Sequence, residues 1–254
     1  MRVMTSLLAA LLALAAPAWA APQKAKSAPA AAVPAAVSTA AVAASSVFLY
    51  PSSVPLTLES VLAHFQLYDR EMQSLAARFT QTLTVPDTQV NQSVEGTLEY
   101  LKPGRLRIEH QRPERQTLVI DGKDLWIHRH AQNQVIQSSL EDWKKADPAI
   151  GSLMQFGDFA RMLEVYDAVL DTSAAQAALV LRPKQRSETD LVLRLTLNAM
   201  NLFPAVTELG VGSLKVRSTL SELKINAPIP EKDFQFTPPY GADVLRNFKP
   251  PKVQ

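Results

Sequence analysis

The chain has 254 residues, 47% of them apolar and none of them cysteine, so it has ample material for a core and excludes both a disulfide framework and a lipid-modified N-terminal cysteine. Its net charge is +2; setting aside Arg2, Lys24 and Lys26 leaves 23 basic residues against 24 acidic ones. That balance gives no electrostatic case for nucleic acid.

Residues 1–20 read as a signal peptide. Arg2 precedes an apolar run from Leu7 to Ala16, and Ala18-Trp19-Ala20 puts small residues where a signal peptidase inspects the chain. Cleavage is expected after Ala20, and the apolar run is too short to span a bilayer comfortably, so an exported, soluble mature protein is expected. Residues 21–54 are mostly Ala, Pro, Ser and Val; their prolines interrupt any helix that the alanines favour, and the stretch reads as a flexible spacer.

Residues 55–254 are expected to form one folded domain. It opens with a helix, because Leu58, Val61, Leu62, Phe65, Met72 and Leu75 fall close to helical intervals, with Thr57 as N-cap and Glu59 in the first turn. Strand-like runs follow near 78–85, 92–101, 105–112, 116–120, 124–130 and 133–138, each bounded by Pro, Gly, Asn or Asp. In the third run Leu106, Ile108 and His110 point one way and Arg105, Arg107 and Glu109 the other, since a strand alternates its faces. Asp121-Gly122 suits a tight hairpin turn.

Around Gly157-Asp158 the period changes: Ile150, Leu153, Met154, Phe159, Met162, Leu163 and Tyr166 predict two short helices. Strand patterns resume near 166–171, 178–183, 190–199, 203–209 and 214–225. About eleven strands without βαβ alternation predict a mainly β (α+β) fold, one antiparallel, strongly curved sheet or open barrel with the helices available to cover its mouth. Which parity of each strand faces inward is left open at this level.

No catalytic or metal site is expected. His128-x-His130 places two imidazoles on one strand face, but no third ligand is near, and the pair reads as polar residues at the solvent end of a hairpin. His64 and His110 sit in no metal or nucleophile motif, and Gly210-Val-Gly212-Ser213 reads as turn chemistry. Trp126, after the Asp-Gly turn, is expected to plug the barrel end.

Several ordered pieces resemble the LolA family of periplasmic lipoprotein carriers. They are Phe79-Thr-Gln81; Gly96-x-Leu98; Lys102-Pro-Gly-Arg-Leu-Arg107 with Pro113; Gln116-x-Leu-Val119 leading to Asp121-Gly-Lys-x-Leu-Trp126; Gln134-Val135; and Phe234-Gln-Phe-Thr-Pro-Pro-x-Gly241 with Val244. The resemblance covers roughly residues 56–245 and implies an incomplete barrel of about eleven strands under a helical lid. It also implies a monomeric carrier without cofactor or metal. Such a carrier takes lipoprotein acyl chains from an inner-membrane ABC lipoprotein-release transporter and passes them to an outer-membrane lipoprotein acceptor.

On that resemblance, acyl chains are expected against Leu62, Phe65, Met72, Leu98, Tyr100, Ile108, Leu118, Ile120, Met154, Phe159 and Met162. The flexible thioethers of Met72, Met154 and Met162 would repack around variable tails. Lys102 falls where the family usually carries an arginine that latches the lid; lysine offers a point charge without the bidentate fork, and Arg105 or Arg107 is expected to share the task. Leu106 occupies the position of a large apolar residue used in docking to the transporter. Two alternatives on the same fold are a carrier of another lipid or glycolipid, and an envelope-stress sensor that binds a membrane protein.

Overall fold

The computed structural model describes residues 46–85, 90–142, 163–164, 166–184 and 191–249. The expected signal peptide, most of the expected spacer, and Met154, Phe159 and Met162 with the two helices expected around Gly157 lie outside these residues.

Helix α1 spans Leu58–Glu71. Its start is fixed reciprocally: the Thr57 hydroxyl accepts from the Ser60 amide at 3.1 Å while Ser60 Oγ accepts from the Thr57 amide at 2.9 Å. Val61, His64, Phe65 and Tyr68 are buried along one stripe. The helix ends at Glu71 and Met72 is its extended C-cap, so the helical period that sequence spacing carries on to Leu75 stops short. Leu75 belongs instead to the first strand, which begins four residues earlier than its expected bound of 78.

Twelve strands follow in one sheet. They are β1 Ser74–Val85, β2 Val90–Leu101, β3 Arg105–Arg112, β4 Gln116–Ile120, β5 Asp124–Arg129, β6 Gln134–Ser139, β7 Tyr166–Asp171, β8 Ala178–Pro183, β9 Leu191–Thr196, β10 Val206–Val211, β11 Leu214–Ile225 and β12 Asp243–Leu245. Their spatial order is β12-β6-β5-β4-β3-β2-β1-β11-β10-β9-β8-β7, so β12 and β7 are the two margins of an open, curled sheet. The expected eleven strands are all present. The twelfth, three residues long, pairs in parallel with β6 through Val244 and Val135, whereas every other pair is antiparallel.

Alternation sorts the side chains. Leu106, Ile108 and His110 of β3 face the same side as Leu118 and Ile120 of β4 and Leu98 and Tyr100 of β2, and this concave side holds the core that α1 covers. At the sheet's centre Phe79 lies against Gly96: a Cβ there would fall 2.7 Å from Phe79 Cζ and 2.1 Å from the Glu109 carbonyl oxygen. Only glycine fits that approach.

The folded unit starts before residue 55, which corrects the expected spacer boundary. Ser46–Phe48 form a 3₁₀ turn, and Phe48 is fully buried, stacked on Tyr68 with ring centroids 4.5 Å apart and planes within 3°. The Tyr50 amide donates to the Met200 carbonyl at 2.8 Å, and His64 Nε2 bonds the Phe48 carbonyl at 3.0 Å. An alanine-rich run contains no periodic cue to such a strap, because one aromatic side chain anchors it.

Candidate functional site

The concave face of the sheet and the buried stripe of α1 enclose a single apolar cluster. Val61, Phe65 and Tyr68 from the helix belong to the same buried cluster as Leu75, Leu98, Tyr100, Ile108, Leu118 and Ile120 from the sheet. A lone helix of fourteen residues is marginal in water, so α1 owes its place to this contact, each fully buried large apolar side chain contributing about 1.5–3 kcal/mol. Of the residues expected to meet acyl chains, Phe65, Met72, Leu98, Tyr100, Ile108, Leu118 and Ile120 are all buried in this cluster, and Leu62 packs partly buried against it. The structure therefore brings eight of the eleven together beneath or beside one helix.

Polar groups pin α1 at both ends. At its N-terminal half Tyr50 donates to Ser60 Oγ at 2.8 Å. His64 is bonded to Phe48 as above, and burial lowers its pKa, keeping the ring neutral near pH 7. Tyr68 donates to the Asn201 carbonyl at 2.9 Å, and burial holds its phenol well above the usual range. At the C-terminal end the Lys102 ammonium, carried on the turn between β2 and β3, donates to the Asp69 carbonyl in the last turn of α1. A cation suits that position, because helix-terminal carbonyls lack intrahelical partners and carry the negative end of the dipole.

The other expected latch residues point elsewhere. Arg105 pairs at 3.6 Å with Glu231 and Arg107 donates to the Asp233 carbonyl at 3.0 Å, both in the C-terminal 3₁₀ turn Glu231–Phe234. The reason is parity: both arginines project from the convex face, away from α1. Arg105 as a lid latch is therefore corrected.

Leu106 is only 2% exposed, on the inner face between Tyr100 and Ile120, so it presents no docking surface in this conformation. Trp126 does not plug the barrel end. It lies on the convex face, tilted against Phe236 at 5.6 Å, with its indole N–H directed to Asp121 Oδ2 at 3.3 Å. The neighbouring His128 and His130 rings are 4.0 Å apart. His128 is buried against Phe236 and His130 Nε2 bonds Thr117 Oγ1 at 2.9 Å, so the pair lies under the C-terminal segment and not at a solvent end. Among the described residues no group of three or more His, Cys, Asp or Glu side chains is placed to hold a metal ion.

Gly212 at φ +54° makes the two-residue turn between β10 and β11, as the sequence predicts. Sequence reasoning placed His110 on the inner face of β3 but missed the other polar residues that interrupt the apolar concave face: Gln81, Gln116, Thr207 and Ser218 are buried as His110 is. Their strand parity carried the signal, since each shares the face of a core residue two positions along its strand.

Residues 70–237 match the family model described as outer membrane lipoprotein carrier protein LolA. The outer-membrane lipoprotein carrier protein of Methylibium petroleiphilum is 30% identical over 175 residues, covering 69% of this chain and 84% of that one. That of Dechloromonas aromatica is 30% identical over 210 residues, covering 76% and 94%. Among solved structures, a LolA-superfamily protein from Nitrosomonas europaea is similar at 13% identity with a TM-score of 0.43, covering 72% of this chain and 99% of that one. The Methylibium likeness spans two thirds of the chain and the family model more than half, so this chain belongs to the LolA family of outer-membrane lipoprotein carrier proteins.

Proposed function

We propose that this protein is a periplasmic carrier that shields the acyl chains of lipoproteins against its concave face, under helix α1. It takes them from an inner-membrane ABC lipoprotein-release transporter and delivers them to an outer-membrane lipoprotein acceptor. One observation carries the reading: an apolar cluster on an open sheet includes the buried face of one helix, whose C-terminal end is tied to the sheet by the Lys102 ammonium on the Asp69 carbonyl and the Asn226 amide on the Glu71 carbonyl. Each methylene taken from water is worth about 0.8 kcal/mol, so a triacylated protein cannot cross an aqueous compartment unshielded. Release demands a cover that moves, and Lys102 is one of the ties on α1 whose loss favours that movement. Leu106 then becomes available to a partner only when α1 lifts. Residues 1–20 are removed on export.

The reading is tested by purifying the protein from the periplasm and identifying what accompanies it by mass spectrometry. Acylated polypeptides are expected. A free glycolipid in their place would change the cargo, and the absence of any lipid from protein isolated without detergent would contradict the proposal.

A further inference from the structure

The concave face is not uniformly apolar. His110 on β3 is the cross-strand partner of Gln116 on β4; on β1 Gln81 is the partner of Ser218 on β11, which is in turn the partner of Thr207 on β10. Phe79 bridges the two groups, packed on Gly96 and edge-on to the His110 ring at 5.7 Å. These side chains form a belt across the sheet, near the rim opposite the turn that carries Lys102.

Within the belt, Gln81 Nε2 donates to Ser218 Oγ at 3.0 Å. The others are not satisfied. Gln116 Nε2, His110 Nε2 and Thr207 Oγ1 are buried without a hydrogen-bond partner, in side chains 8%, 6% and 9% exposed. Burying such groups unpaired is costly, and native interiors hold few of them. Three on one concave face, at one level, in an otherwise largely apolar lining, point to a polar group supplied from outside.

We propose that this belt is a subsite for the carbonyl groups of ester- or amide-linked acyl chains; this rests on the carrier reading above and deepens it. The Gln116 amide N–H and the Thr207 hydroxyl donate to carbonyl oxygens. The His110 ring, which burial keeps neutral, contributes a donor at Nε2 in the Nε2–H tautomer. From His110 to Leu106 is four residues of strand, about 13 Å. Tails anchored at the belt therefore run past Ile108 and Leu118 toward Leu106 and Ile120 and the Lys102 turn, while the polar head of the cargo leaves at the opposite rim.

The test compares 1,2-dioctanoylglycerol with its ether analogue 1,2-di-O-octylglycerol, which has the same tails and no carbonyl. Binding is measured on the full chain, and on Gln116→Leu combined with Thr207→Val. Exchanging unpaired buried polar groups for apolar ones of similar shape is close to neutral for folding, and circular dichroism checks this. The ester should bind about tenfold more tightly than the ether to the native chain, a preference that vanishes in the double variant and survives Thr80→Val on the exposed face. Equal affinity for ester and ether, or a preference unchanged in the double variant, overturns the belt and leaves the carrier reading standing. Binding of neither lipid overturns both.

Discussion

Replacing Lys102 by leucine removes one hydrogen bond between sheet and helix and little else. The backbone amide of residue 102 still donates to the Gln73 carbonyl at 2.8 Å, and a leucine covers the same stretch of rim that the lysine stem covers. The lost contact is from an ammonium to a carbonyl at a helix C-terminus, partly open to solvent. A charge-assisted bond of this kind is worth about 1.5–3 kcal/mol, and partial exposure favours the lower figure. About 1.5 kcal/mol corresponds to roughly a tenfold rise in the population with α1 lifted. Amide hydrogen exchange reads this directly: the amides of Phe65 to Tyr68 should lose about tenfold protection while those of β1, β2 and β11 keep theirs, and release of cargo should accelerate. Unchanged protection of α1, or equal loss of protection across helix and sheet, would remove Lys102 from the mechanism.

Other perturbations have equally definite outcomes. Gly96→Ala forces a methyl group into the Glu109 carbonyl and the Phe79 ring, and should lower the unfolding free energy by about 3 kcal/mol or more in urea titrations. Phe48→Ala empties the stack on Tyr68 and should release the strap, seen as proteolytic cleavage near residues 46–50 with the sheet left intact. Burial lowers the pKa of His110 to about 4 from its ordinary 6.5, so the unfolded chain takes up the proton first. Stability is then full above pH 6.5 and falls as pH drops toward 4, by about 3 kcal/mol. His110→Gln should flatten that part of the urea-midpoint profile; an identical fall in both proteins would refute the assignment.

The meander was legible because its strands alternate cleanly and its turns carry Gly, Asn, Asp or Pro, so bounds such as 105–112 and 214–225 coincide with β3 and β11. Periodicity failed where two periods overlap: Met72 and Leu75 continue a helical spacing by coincidence across the junction with β1. It was silent on β12, whose three residues form by pairing with β6 and not by local preference. The apolar residues expected to meet acyl chains were found because inward parity and hydrophobicity coincide in β2, β3 and β4.

Lys102 was placed through family resemblance, and its partner on α1 could not be read from one chain. Arg105 and Trp126 were misjudged for a shared reason. The C-terminal segment folds back over the convex face and supplies partners, Glu231 and Phe236, that lie more than a hundred residues away in sequence. Leu106 takes its docking role from the family resemblance, and its inward parity buries it in this conformation.

To admit acyl chains to the face it covers, α1 must move aside. The chain has no cysteine, so Ile108→Cys places a single thiol on the inner face of β3, where the native side chain is 1% exposed. Its rate of modification by a maleimide should exceed the rate set by global unfolding, rise in the Lys102→Leu background, and fall when an acylated lipoprotein is bound. A thiol that reacts only as fast as the whole domain unfolds, whether or not cargo is present, would contradict a movable cover.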